Sequence, residues 1–171
     1  YMEQLGFDML DINAGAYERK QWIIPSVYMG DACMLHFASE IKKVVDIPVM
    51  SAGTYTPETA EKALEDGKVD LIMFGRQLIA DPETPNKLLE GREDEIRPCL
   101  RCSEYCMGRL YQNLPGTCAV NPQADWEREY PIVKTQNPKK VAIVGAGVGG
   151  IEAAIIAAEM GHNVTVYEKS S

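Results

Sequence analysis

Histidine, phenylalanine and positive charge are scarce in this sequence. Two histidines, His36 and His162, and three phenylalanines occur in 171 residues, and 17 Lys and Arg face 25 Asp and Glu for a formal net charge of −8. With so little histidine, no nucleophile–base–acid triad is available, and both histidines read as structural or surface residues. The acidic balance excludes a phosphate-tracking nucleic-acid binder and an anionic-membrane binder, because both need clustered cations. Long apolar runs are missing too. The longest, 141–144 and 151–158, are interrupted by glycines and Glu152 and fall short of the ~20 residues of a membrane span. No basic n-region and apolar h-region opens the chain. It begins Tyr1-Met2-Glu3-Gln4-Leu5-Gly6, which reads as a helix ending at glycine, so the natural start is expected upstream.

What is present is an alternation of short apolar runs with amphipathic stretches, the pattern of β-α units around a parallel sheet. Strands are expected at 9–13, 47–51 and 71–74. Between the first two, Asp31 is placed to cap a helix with Met34, Leu35, Ala38, Ile41 and Val45 at helical spacing. The next helix has Thr56 as N-cap, Pro57 in its first turn, Ala60, Ala63 and Leu64 inward, and Gly67 as its stop. A third follows Asp81-Pro82 and ends near Gly91, where a domain boundary is expected. From Gly108 to Pro138, prolines at 115, 122, 131 and 138 indicate loops and a linker. Periodicity returns with a strand at 141–144, a glycine turn at 145–150, a helix at 151–160 and a strand at 163–168. A lone β-α-β unit cannot bury both faces of its sheet, so further chain is expected beyond the end. The organisation is therefore read as 1–90, 91–138 and 139–171.

Four of the five cysteines, Cys99, Cys102, Cys106 and Cys118, fall within twenty positions as C-x2-C-x3-C-x11-C. Without a secretory signal, such density points to a reducing compartment, the cytoplasm, where thiols serve metals. Four thiolates suit a [4Fe-4S] cluster and structural zinc alike. Three grouped cysteines with a remote fourth favour the cubane, whereas zinc more often takes two matched C-x2-C pairs. Cys33 stands apart and reads as a buried structural thiol.

Gly145, Gly147 and Gly150 spell G-x-G-x-x-G. The motif is weak alone. Here it follows a strand, opens a helix and precedes a second strand ending at Glu168, the arrangement of a dinucleotide site. The first glycine permits the turn, the second lets backbone approach a pyrophosphate, and the third lets helix and strand pack closely. Glu168 is placed to accept hydrogen bonds from a ribose. Upstream, Gly53 and Thr54 follow the second strand, and Gly75 and Arg76 follow the third. Two such loops at one sheet edge can form a phosphate site like that after the last strands of a (β/α)8 barrel, or be ordinary turns with a surface arginine.

These residues together resemble the iron-sulfur members of the old yellow enzyme group, including 2-enoate reductase, 2,4-dienoyl-CoA reductase and the bile-acid-inducible reductases. The resemblance spans the chain and rests on Gly75-Arg76 running into Leu78-Ile79-Ala80-Asp81-Pro82, on the cysteine segment followed by Asn121-Pro122, and on 145–150 leading to Glu168. It implies an α/β chain made of the C-terminal part of a (β/α)8 barrel, a four-cysteine cluster loop, and the first βαβ of a Rossmann-like FAD or NAD(P) domain. FMN would be held by Gly53, Thr54, Gly75 and Arg76, a [4Fe-4S] cluster by the four cysteines, and FAD by Gly145, Gly147, Gly150 and Glu168. Electrons would pass from NAD(P)H to a small unsaturated substrate, with neither nucleic acid nor membrane as partner. A homo-oligomer is one arrangement open to the full-length enzyme. Tyr17, in the loop after the first strand, matches a substrate-side position facing the flavin; a packing role is the alternative. Dienoyl-CoA-type members carry histidine near that place, so Tyr17-Glu18 leans toward enoate reductases. An amine dehydrogenase of the same group, and a non-catalytic zinc or electron-transfer module, stand as the other readings. A partial barrel is expected to be inactive by itself.

Overall fold

In the computed structural model, which describes residues 1–170, three short runs form a parallel sheet in the order β1 (Leu10–Ile12), β2 (Val49–Ala52) and β3 (Leu71–Met73). Leu10 pairs with Val49, and Ser51 with Ile72. Parallel neighbours cannot be joined by a tight turn, so each connection crosses over through helix. Short α1 (Lys20–Ile23) and α2 (Leu35–Lys42) link β1 to β2, and α3 (Pro57–Glu65) links β2 to β3. After β3 come α4 (Arg76–Ala80), α5 (Thr84–Leu89) and, within the cysteine segment, α6 (Met107–Leu110).

The core lies between the sheet and its crossover helices. Ala38 of α2, Val49 of β2, and Ala60 and Ala63 of α3 are buried with Tyr55 and Val69, and Ile12, Leu35, Ile41, Ile72 and Phe74 pack against them. Small residues on the inner helix faces let helix and strand approach. The expected start of α3 is present in full: Thr56 Oγ1 accepts the Thr59 amide at 3.2 Å, and Thr59 Oγ1 accepts the Thr56 amide at 2.9 Å. Such reciprocal capping satisfies two amides that the first turn leaves without partners. Gly67 and Gly91, at φ 63° and 68°, follow α3 and α5 as the stop residues.

Several expectations shift. The second strand starts two residues later than expected and ends one later, at Ala52, and the first and third are shorter than expected. Asp31 does not cap α2. Residues 31–34 form a turn with Ala32 at φ 48°, Met34 occupies the cap position without a side-chain bond, and Asp31 pairs instead with Arg101. A carboxylate four residues ahead of the first helical residue is too far back to reach the N-terminal amides.

The chain packs as two compact units, dividing between Ala124 and Asp125. The cysteines belong to the first unit, while 125–138 goes with the second. The second unit pairs β4 (Lys140–Val144) in parallel with β5 (Asn163–Tyr167) around α7 (Val148–Glu159). α7 starts three residues earlier than expected, so Gly149 and Gly150 lie in its first turn. Among the described residues, no helix is long and apolar enough to cross a membrane.

Candidate cofactor site

In a parallel sheet the loops leaving the carboxyl ends of the strands gather at one edge, and ligands bind there. A cavity of about 480 Å³ opens at that edge, within the range of small-molecule and cofactor sites. Its walls come from the loop after β1 (Asn13, 23–25), the loop after β2 (52–57), the end of β3 with its loop and α4 (73–77), and the segment that bears the cysteines (Pro98, Cys99, Arg101 and Met107 among others). Gly53 adopts φ 119°, and a Cβ there would stand 2.6 Å from Met34 Cγ, so this loop closes only on glycine. Thr54, at φ 54°, spends its hydroxyl on the Gly30 carbonyl at 2.8 Å. Its side chain therefore holds the loop, and what it offers the cavity is its amide. Among the described residues, the amides of Gly53, Thr54, Gly75 and Arg76 have no acceptor. A Cβ on Gly75 would meet nothing within 4 Å. Open space and unpaired donors fit the phosphate end of FMN.

Arg76 does more than line this cavity. It donates from Nη1 to Ser103 Oγ at 2.8 Å and from Nη2 to the Pro25 carbonyl, tying the loop after β1 to the cysteine segment.

All four cysteines of the quartet are free thiols and border one small cavity beside Arg76, Ile79 and Tyr105. Among the described residues, no three His, Cys, Asp or Glu side chains converge to metal-ligating positions. The donor set nonetheless fits a thiolate-bound centre: no sulfur is spent on a disulfide, and Arg101 and Ser103, on either side of Cys102, both turn through left-handed conformations at φ 54°. The turn aims the Arg101 amide at Cys99 Sγ, 3.4 Å away. Burial pushes the Cys99 thiol above its ordinary value, while the Arg101 amide and the Arg76 charge pull the other way. Cys33, half-buried in the turn before α2, has its Sγ 3.4 Å from Thr54 Oγ1, whose one proton goes to the Gly30 carbonyl, and takes no part in the quartet.

The frame of this segment is made of side chains to which the sequence reading assigned no role. Gln77 Oε1 accepts the Cys99 amide at 3.0 Å. Buried Asp81 accepts the Arg97 amide at 2.9 Å and pairs with Lys87 at 2.7 Å. Burial pushes the Asp81 carboxyl up, but Lys87 and the amides of Arg97 and Glu83 outweigh it, and the net direction is down. Arg97 reaches the Val120 carbonyl at 2.6 Å, and buried Asn121 donates to the Ile79 carbonyl at 2.9 Å. One signal was available: Gln77 is the single polar residue between Arg76 and Asp81.

In the second unit the glycine turn behaves as its spacing predicts. Gly145 has φ 103°, and a Cβ on Gly150 would lie 1.9 Å from the Gly145 carbonyl oxygen, so the third glycine is what lets α7 cross β4. A Cβ on Gly147 would meet nothing within 4 Å. The Glu168 carboxylate accepts the amides of Ala146 at 2.7 Å, Lys169 at 2.6 Å and Ser170 at 3.0 Å. Those amides, Ser170's foremost, draw its pKa down to about 2. Glu168 thus already closes the turn from the end of β5. Tyr17 heads a short 3-10 turn after β1, is highly exposed, and is not among the residues lining the large cavity.

An edge of unpaired amides on a parallel sheet, walled by a thiol-rich segment, suits a phosphate-bearing cofactor. The chain belongs to the NADH:flavin oxidoreductase / NADH oxidase family, whose model matches residues 1–95; residues 109–171 match the pyridine nucleotide-disulphide oxidoreductase model. It is 45% identical over 166 residues to cinnamate reductase of Clostridium sporogenes, covering 96% of this chain and 25% of that protein. Among solved structures, 2-naphthoyl-CoA reductase in complex with 2-naphthoyl-CoA matches with a TM-score of 0.88 and 35% identity, over 97% of this chain and 26% of the other. Histamine dehydrogenase from Rhizobium sp. 4-9 matches at 0.85 and 26%, over 96% and 24%. The chain spans about a quarter of the length of each of these three.

Proposed function

We propose that this chain is part of an NAD(P)H-dependent flavin and iron-sulfur oxidoreductase that reduces an activated C=C bond of an enoate or enoyl-type substrate. The observation that carries the reading is the cavity at the strand ends, where four open amides and Arg76 stand within one wall of the cysteine segment. When bound, FMN would supply the hydride chemistry, and a [4Fe-4S] cluster and FAD would supply electron transfer from NAD(P)H. The amides of Gly53, Thr54, Gly75 and Arg76 hold the phosphate, and the Arg76 guanidinium keeps the loop after β1 and the cysteine segment at fixed separation. Cys99, Cys102, Cys106 and Cys118 hold the cluster. Gly145, Gly147 and Gly150 admit the FAD pyrophosphate, and Glu168 offers the remaining lone pair of its Oε2 to a ribose. Tyr17 stands on the loop after β1 as a candidate proton donor to substrate carbon or hydrogen-bond donor to its carbonyl.

The resemblance to cinnamate reductase favours an aryl enoate. The test is anaerobic turnover of the full-length enzyme with NADH or NADPH and cinnamate, with metal content measured in parallel. Saturated acid formed in step with NAD(P)H oxidation, and about four irons and four sulfides per chain, are expected. One zinc without sulfide would sink the iron-sulfur reading. The likeness to histamine dehydrogenase supports a second reading, substrate amine oxidation with electrons sent outward, and inertness toward cinnamate with oxidation of amines would establish it. The 171 residues alone are expected to show no NAD(P)H-dependent reduction of cinnamate, because three strands cannot close a barrel around the flavin.

A further inference from the structure

Gln77 is a buried carboxamide in a stretch that is otherwise apolar up to Asp81. Burying an amide side chain is unfavourable unless its donors and acceptor are paired. Here they are: Oε1 accepts the Cys99 amide at 3.0 Å, and Nε2 donates to Thr84 Oγ1 at 2.9 Å and to the Arg97 carbonyl at 3.1 Å. Gln77 therefore grips Arg97 and Cys99 on either side of Pro98, a residue that has no amide N–H to offer. It treats the tripeptide as a strand partner would. The same single turn of helix opens at Gly75, which lines the large cavity, and its Ile79 carbonyl holds Asn121 beyond the last cysteine.

We propose that Gln77 is a positioning residue for the metal centre: it fixes the backbone of the first cysteine ligand, and so the direction of its sulfur, relative to the phosphate-binding loop. The inference rests on the iron-sulfur reading of the quartet. Fixing the Cys99 amide leaves its Sγ only side-chain rotation, which the Arg101 amide further restricts. Outer-shell partners of this kind orient metal ligands and tune the centre they hold.

The test uses the full-length, anaerobically purified, flavin-loaded enzyme with the substitutions Gln77→Leu and Gln77→Glu. Ala63→Gly, in the core of α3 and remote from the cysteines, controls for general loss of stability. Three readouts apply: the electron paramagnetic resonance signal of the reduced cluster, its midpoint potential, and the rate of iron release to a chelator. Gln77→Leu is expected to shift signal and potential and to speed iron release about tenfold or more, while Ala63→Gly leaves signal and potential unchanged. Gln77→Glu keeps an acceptor for Cys99 but loses the donor to Arg97, and is expected to fall between. Should Gln77→Leu not accumulate as folded protein, the Glu variant decides by the same readouts. Wild-type signal, potential and release in a folded Gln77 variant would overturn the role of Gln77 alone. A wild-type enzyme without iron and sulfide would overturn the iron-sulfur reading itself.

Discussion

The two candidate cofactor corners of this chain, each at the carboxyl ends of parallel strands, are built of different materials. In the first unit the cavity and the cysteine segment are tied together by side chains, three of them on α4 and its C-cap: Arg76 to Ser103, Gln77 to Cys99 and Asp81 to Arg97, joined by Asn121 to Ile79. In the second unit the turn is made by glycine and backbone, with one side chain, Glu168, drawn across it. A site built of glycine depends on volume that must stay empty, whereas a site built of polar side chains depends on partners that must stay present. Substitutions should therefore damage the two corners by different routes.

The sharpest contrast lies within the glycine turn. Gly150→Ala drives a methyl against a backbone oxygen 1.9 Å away and is expected to remove about 3 kcal/mol or more from the second unit, seen as lost amide-exchange protection there. Gly147→Ala meets open space and should cost roughly 1 kcal/mol or less while weakening dinucleotide binding. Equal losses in the two variants would break the volume argument. In the first unit, Asp81→Ala leaves Lys87 facing a buried, empty acceptor position and is expected to cost about 3 kcal/mol in denaturant unfolding, with the cysteine segment loosened first. A smaller effect, about 1 kcal/mol, is expected for Thr56→Ala, which removes one half of the α3 capping box without touching the cysteine frame.

The smallest is a pH effect. The folded pKa of Glu168, about 2, lies below its ordinary 4.5, so its contribution is complete above about pH 4.5 and is lost as the pH falls through 2. The Ala146 amide resonance should follow that titration. Movement centred near 4.5 would mean the carboxylate does not close the turn.

The same difference in materials explains what could be read in the sequence. The second corner was legible because G-x-G-x-x-G and Glu168 lie in one contiguous β-α-β stretch whose spacing already encodes its geometry. The α3 start was legible for the same local reason. Asp31 was misread as a cap because its partner, Arg101, lies 70 positions away, and spacing carries no information about such pairs. Gln77 and Arg97 were assigned no role likewise: each looks ordinary until the chain folds back and supplies the carbonyl or amide that it holds. The quartet itself was visible as a count and a spacing. How it is framed was not.

The cross-bonds that frame the quartet share one more property. Gln77 to Cys99, Asp81 to Arg97, Arg97 to Val120 and Ile79 to Asn121 span 16 to 42 positions along the chain, and none needs a residue beyond Asn121. On a ribosome, which makes the N-terminal part first, the residues that frame the cysteine segment are all synthesised before Gly145. The order of manufacture therefore puts every residue of that frame into the chain before the glycine turn exists.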